Sequence, residues 1–173
     1  MSKEIERKFL VSSDAWKTTK PLGNQSLIIQ GYLNSNPERT VRVRIDDPIS
    51  RKNTKEKAYI TIKGKTSGIS RAAFEYEIPS ADAKELLDMC EKSLVQKIRT
   101  RIEFEGFTWE IDEFLNLNAP LVIAEIELDS EDQVFMMPTW LGNEVSRDFR
   151  YSNSSLARDP FSLWSSEEQQ LVS

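Results

Sequence analysis

Gln96-Lys97-Ile98-Arg99-Thr100-Arg101-Ile102-Glu103-Phe104-Glu105 alternates without a break. Ile98, Ile102 and Phe104 share one parity; Lys97, Arg99 and Arg101 share the other, the period-two signature of a strand with two unlike faces. The same split recurs in both directions along the chain. Upstream, residues 3–11 set Ile5, Phe9 and Val11 against Glu4, Glu6 and Lys8, and 27–34 put Gln30 and Tyr32 on one parity. Residues 40–46 set Val41, Val43 and Ile45 against Arg42 and Arg44, and 57–63 set Ala58, Ile60 and Ile62 against Lys57, Tyr59, Thr61 and Lys63. Residues 71–78 set Phe74, Tyr76 and Ile78 against Arg71, Glu75 and Glu77. Downstream of a Gly106 turn, 108–114 set Trp109 and Ile111 against Glu110 and Asp112, and 121–128 set Ala124, Ile126 and Leu128 against Glu125 and Glu127. The pattern predicts about eight strands.

Helical spacing is confined to short stretches. Ala83, Leu86, Leu87, Cys90 and Leu94 predict a helix over 81–94 with Ser80 as N-cap, and Ser130-Glu-Asp-Gln has the form of a capping box opening a second helix that Pro138 ends. Residues 13–17, 153–158 and 166–172 are weaker helical candidates, and the polar, breaker-containing stretch 47–56 predicts a mobile loop. The expected class is mainly β (α+β), with enough antiparallel strands to close an eight-stranded barrel flanked by a few helices. No linker or repeat divides the 173 residues, so a single domain over 1–173 is expected, with 157–173 as a C-terminal tail docked by Phe161, Leu163 and Trp164.

Composition removes much chemistry. There is no histidine and only one cysteine, Cys90, so imidazole bases, zinc fingers, catalytic triads and disulfide frameworks are excluded. Any metal must be held by oxygen, which favours Mg, Mn or Ca. Acids outnumber bases by 28 to 23, and the whole excess lies in 129–173, which carries eight acids and three bases. Without a basic footprint, duplex nucleic acid is not expected as a partner. The charged first ten residues and the lack of a membrane-length apolar run predict no membrane association and a soluble, cytoplasmic protein.

The charged parity is unusual in kind. Like charges stand at i and i+2 in strand after strand: Glu4 with Glu6, Arg42 with Arg44, Glu75 with Glu77, Lys97 with Arg99 and Arg101, Glu110 with Asp112, Glu125 with Glu127. Such neighbours, about 7 Å apart, repel. Two readings are open. Either these are solvated outer faces laddered across strands, or they face the interior of a closed barrel. In the second case ionised groups shielded from water require partners. The basic row Lys8, Arg42, Arg44, Lys63, Arg71, Lys97, Arg99 and Arg101 would then await a polyanion, and the carboxylate pairs a divalent cation.

Glu4-Ile5-Glu6-Arg7-Lys8-Phe9-Leu10-Val11 resembles the ExExK signature of the CYTH superfamily, the triphosphate tunnel metalloenzymes. It is accompanied, in that family's order, by Gln30-Gly31-Tyr32-Leu33, Arg42-Val43-Arg44, Thr61-Ile62-Lys63-Gly64, Arg71 with Glu75-Tyr76-Glu77, Lys97-Ile98-Arg99, Glu110-Ile111-Asp112, Glu125-Ile126-Glu127 and Arg150-Tyr151-Ser152-Asn153. The resemblance spans residues 3 to about 157 and looks most like the short bacterial subgroup that hydrolyses inorganic triphosphate. It implies a charged eight-stranded tunnel in which Lys8, Arg42, Arg44, Lys63, Arg71, Lys97 and Arg99 grip the triphosphate, with Arg101 added on parity. It implies Mg2+ or Mn2+ on Glu4, Glu6, Glu125 and Glu127, with Glu75, Glu77, Glu110 and Asp112 completing a second metal shell or orienting the cations. It also makes Lys8 with Tyr32 a candidate general base. Lysine normally titrates near 10.4, so nearby carboxylates oppose that role; metal-activated water is the alternative.

The expected activity is metal-dependent hydrolysis of a linear triphosphate. Thiamine or nucleoside triphosphate hydrolysis and adenylate cyclisation are alternatives within the family, although the His-Phe pair usual in cyclases is absent. A non-catalytic polyphosphate or nucleotide binding module is the alternative outside enzymology. Trp16, Trp109, Trp140 and Trp164 are expected to pack, as is Cys90. The tail, if not simply docked, would plug a tunnel mouth or form a homodimer contact.

Overall fold

The computed structural model describes residues 3–18, 25–50 and 54–170. Its strands are β1 (Lys3–Val11), β2 (Gln25–Asn34), β3 (Arg39–Pro48), β4 (Lys57–Gly64), β5 (Ser70–Ile78), β6 (Glu91–Phe104), β7 (Phe107–Phe114), β8 (Val122–Glu127) and β9 (Leu141–Glu144). The helices are α1 (Ser80–Asp88), α2 (Asn153–Arg158) and α3 (Ser166–Gln170). All described pairings are antiparallel, in the order β5-β4-β3-β2-β6-β7-β8-β1. Three residue pairs close the ring between β1 and β5: Lys3 with Ala72, Glu4 with Arg71 and Ile5 with Ser70. Farther along the same edge of β1, β9 pairs through Phe9 and Val11. The eight alternating segments are therefore the eight staves of a closed barrel, and β9 is a ninth strand that the alternation did not announce.

The helical expectations need adjustment. α1 begins at Ser80 with Pro79 as its N-cap, whose carbonyl accepts from the Ala83 N–H at 3.0 Å. It ends at Asp88, because Leu94 is already in β6 and serves the barrel wall. No helix forms at Ser130. The capping box closes one turn, with the Gln133 N–H donating to the Ser130 carbonyl at 3.2 Å, and the chain then runs extended to seat Phe135. Phe135 meets Phe9, Phe107 and Trp109 at centroid distances of 6.3, 6.1 and 5.7 Å, burial that a helix at this place would forgo. Residues 14–18 form a 3-10 turn, and α2 matches its expected bounds. Within the polar stretch 47–56, β3 extends to Pro48, and 51–53 lie outside the described residues, as do 171 and 172 of the last helical candidate.

Each face of the barrel wall has its own destination. On the outside, Ile5, Phe9, Ile102, Trp109, Ile111, Ala124 and Ile126 pack with Trp16, Leu128 and Trp140. On the opposite side, α1 lays Ala83 and Leu87 over Val43, Ile45 and Ala58. Fully burying side chains of this kind stabilises by about 1.5–3 kcal/mol each. The inward parity turns apolar at one end. Leu10, Tyr32, Val95, Phe114 and Ile123 meet Tyr151, Leu156, Ala157, Phe161 and Trp164, so α2 and the start of the tail pack across that end. All four tryptophans are buried, as expected. Leu163, by contrast, is 72% exposed and does not dock the tail, because the 3-10 turn Phe161–Leu163 points Phe161 inward and leaves Leu163 on its outer side.

Candidate active site

The pleat carries the charged parity into a cavity of about 680 Å³. Glu4, Glu6, Lys8, Tyr32, Arg42, Arg44, Lys63, Arg71, Glu75, Arg99, Arg101, Glu110, Glu125 and Glu127 all line it. Register explains the convergence: Tyr32 stands opposite Arg42, Glu4 opposite Arg71, Lys8 opposite Glu125, Glu6 opposite Glu127, Arg101 opposite Glu110 and Glu110 opposite Glu125. Three expected site residues lie elsewhere. The Glu77 side chain is 60% exposed and faces Lys57 at 3.6 Å, because the far end of β5 runs beyond the cavity. Lys97 and Asp112, 1% and 0% exposed, are paired with each other at 2.5 Å beneath the lining.

Opposite charges inside the barrel neutralise one another. Lys63 Nζ donates to Glu4 at 2.8 Å and Arg71 Nε at 3.2 Å. Burial alone would raise the Glu4 carboxyl, yet Lys63 and Arg71 hold it down at about 2. Lys63 itself is lowered to about 8 by burial and then by Arg42, against the pull of Glu4. Lys8 bridges Glu6 and Glu125. Burial opposes its charge, but Glu125 and Glu6 outweigh burial and keep the ammonium above its ordinary range. Burial raises the Tyr32 phenol.

Arginine is in excess along β3. One carboxylate, Glu75, accepts from Arg42 at 3.3 Å and from Arg44 at 3.2 Å, and also from Thr61 Oγ1 at 2.7 Å. Burial and the adjacent Arg42 lower Arg44 to about 10. The Nε atoms of Arg42 and Arg44 are buried without a hydrogen-bond partner. Two guanidinium groups sharing one carboxylate, with donors unspent, suit an anion with several oxygens.

The carboxylates offer oxygen donors of uneven availability. Glu4, Glu6 and Glu125 are held by cations, whereas Glu127 has no salt bridge among the described residues. Its carboxyl is raised by burial and then by Glu4, Glu6 and Glu110. That repulsion and an all-oxygen donor set fit a hard divalent cation. Among the described residues no three such ligands are already gathered as a metal shell.

The cavity also contains groups that the alternation missed. Ser146, Arg147, Asp148, Phe149, Ser152, Asn153 and Ser154 line it from the segment after β9. Within the sequence, only Arg150-Tyr151-Ser152-Asn153 pointed there, and Arg150 is turned away to Asp148 at 2.6 Å and Glu168 at 2.9 Å.

The CYTH domain profile matches residues 2–160. The inorganic triphosphatase of Acetivibrio thermocellus is 48% identical over 162 residues, covering 93% of this chain and 97% of that protein. The inorganic triphosphatase of Nitrosomonas europaea is 33% identical over 159 residues, covering 89% and 96%. A crystal structure of an inorganic triphosphatase superposes with a TM-score of 0.60 at 31% identity, covering 91% of this chain and 95% of the other.

Proposed function

The chain belongs to the CYTH domain family, and from that premise we propose that it hydrolyses a linear triphosphate, inorganic triphosphate foremost, with a divalent metal ion. The observation that carries this reading is the convergence of Lys8, Arg42, Arg44, Lys63, Arg71, Arg99 and Arg101 with paired carboxylates in one cavity. The names of the A. thermocellus and N. europaea relatives support it. The lining favours an inorganic substrate over a nucleoside or thiamine ester, because its apolar members are few and scattered: Ile69, Ala73, Tyr32 and Phe149.

In this reading Arg42, Arg44 and Arg71 grip phosphate oxygens, with Lys63 as a point charge, and orient the chain for in-line attack by water. Arg42 and Arg44 exchange their shared carboxylate for substrate oxygens, so they strengthen where negative charge develops. Glu4, Glu6, Glu125 and Glu127 would hold Mg2+ or Mn2+, with Glu75 and Glu110 orienting cations around them. The metal, when bound, supplies charge neutralisation and an activated water. Lys8, salt-bridged to two carboxylates, keeps its proton and donates to phosphate, and Tyr32 lines the same cavity opposite Arg42. A Lys8 and Tyr32 base is the weaker assignment. We place the enzyme in the cytoplasm; no described helix is long and apolar enough to cross a membrane.

Phosphate release from inorganic triphosphate, ATP and thiamine triphosphate, with cyclic AMP followed in parallel, tests this under Mg2+, Mn2+ or chelator. Metal-dependent release, fastest from inorganic triphosphate, is expected. Absence of turnover with every substrate would remove the enzyme reading.

A further inference from the structure

Lys97 and Asp112 occupy positions where parity puts ligand-binding groups, yet neither lines the cavity. Arg99, their neighbour, does. The hydrogen bonds explain the difference. Arg99 and Asp112 are direct cross-strand partners on β6 and β7. Asp112 takes the whole Nε edge of the guanidinium, Nε donating to Oδ1 at 2.7 Å and NH2 to Oδ2 at 2.7 Å. The NH2 group also donates to Glu125 at 3.0 Å. Of the two terminal nitrogens, NH1 alone is left for the cavity, where it meets only Glu110. Lys97 stands behind, donating to Asp112 Oδ2 at 2.5 Å and to Asn153 Oδ1 at 3.1 Å.

We propose that Asp112, backed by Lys97, is a positioning residue that aims the NH1 end of Arg99 at the bound phosphoanion, and that neither Asp112 nor Lys97 touches substrate or metal. This rests on the phosphate-binding reading of the cavity. A bidentate carboxylate fixes the plane of a guanidinium as well as its place, which a single point contact does not do. Lys97 donates to the Oδ2 atom that Arg99 also engages and, through Asn153, connects the clamp to the first turn of α2. The arrangement differs from metal ligation in one testable respect: Asp112 presents both oxygens to nitrogen donors and none to the cavity.

The experiment compares Asp112→Asn, Asp112→Glu and the double variant Lys97→Met/Asp112→Leu with the wild type. It reads kcat, KM, the metal concentration for half-activation, the thermal midpoint, and calorimetric binding of inorganic triphosphate in chelator. Asp112→Asn presents an amide where Arg99 requires a second acceptor. Its kcat is expected to fall about 100-fold, as for a misplacement of roughly 1 Å, with half-activation by Mn2+ unchanged and metal-free binding weakened. Asp112→Glu does not rescue, because the longer chain does not fit a site with no exposure. The double variant removes Lys97 together with its carboxylate partner and leaves Arg99 on Glu110 and Glu125; its thermal midpoint reads the cost of the vacated Nε edge, and the folded protein shows the same loss in kcat. Restoration of Asp112→Asn by excess metal, rescue by Asp112→Glu, or wild-type kcat in the folded double variant would each overturn the proposal. A wild type that binds triphosphate without turnover defeats the enzymatic reading and leaves the calorimetric comparison to decide the clamp. A wild type that neither binds nor turns over defeats both.

Discussion

Gly31 sits in β2 between Gln30 and Tyr32, where the barrel wall is pressed by the α1–β6 connection. A Cβ built there would lie 2.7 Å from Cys90 Sγ and Leu94 Cδ2 and 2.8 Å from Cys90 Cβ. Three contacts that short require the wall and the connection to part by several tenths of an ångström, and overpacking of this kind costs about 1–3 kcal/mol. Replacing glycine lowers the entropy of the unfolded chain and returns about 0.4–1 kcal/mol. The clash wins, and Gly31→Ala should destabilise by about 1–2 kcal/mol. For a chain of this size that lowers the thermal midpoint by about 2–8 °C, at 2–4 °C per kcal/mol. Calorimetry or urea titration measures it. Leu94 is 36% exposed, so Gly31→Ala/Leu94→Ala should lose less than the two single changes added together. A midpoint unchanged or raised in Gly31→Ala, or strict additivity in the double variant, would refute the packing argument.

Trp164→Ala should cost about 3–5 kcal/mol by emptying the apolar closure where Trp164 meets Tyr151 and Phe161 at 5.2 and 5.1 Å, read by urea unfolding. Arg44→Lys keeps a charge and loses the planar fork; KM for inorganic triphosphate should rise at least tenfold, with the thermal midpoint little changed. Glu127 provides a sign test. Its folded carboxyl is raised, so the ionised form is disfavoured by folding at neutral pH, and that penalty disappears as pH falls below the ordinary 4.5. In chelator Glu127→Gln should therefore raise the thermal midpoint at pH 7 and have little effect below pH 4. Added Mg2+ or Mn2+ should raise the wild-type midpoint more than that of the variant.

Period-two alternation was enough to locate all eight staves, because each inward residue of a barrel wall must differ in kind from its outward neighbours. It also brought Arg42, Arg44, Lys63 and Glu125 into one space. It failed where long-range packing overrode local preference. Ser130 begins a good capping box, but the aromatic seat for Phe135 lies against β1 and β7 and is invisible locally. Leu94 completes a helical stripe on paper, yet it is recruited by β6. β9 has only Leu141-Gly142-Asn143-Glu144, too short and polar for a periodic signal. Parity assigned Lys97 and Arg99 the same role. Which of two cations is sealed beneath the lining depends on where α2 lands, some fifty residues later in the chain.

β1 is joined to the wall only by partners far from it along the chain. Its hydrogen-bonding partners are residues 70–72, 123–127 and 141–144. Until β8 is in place, Glu6 and Lys8 lack their cross-strand partners Glu127 and Glu125. Closures over such sequence separations are slow and expose unpaired edges meanwhile. The sheet β5-β4-β3-β2, whose members pair in sequence order, can thus form before β1 closes the ring, so Arg42, Arg44 and Lys63 are expected to be aligned before Glu6 and Lys8 join them.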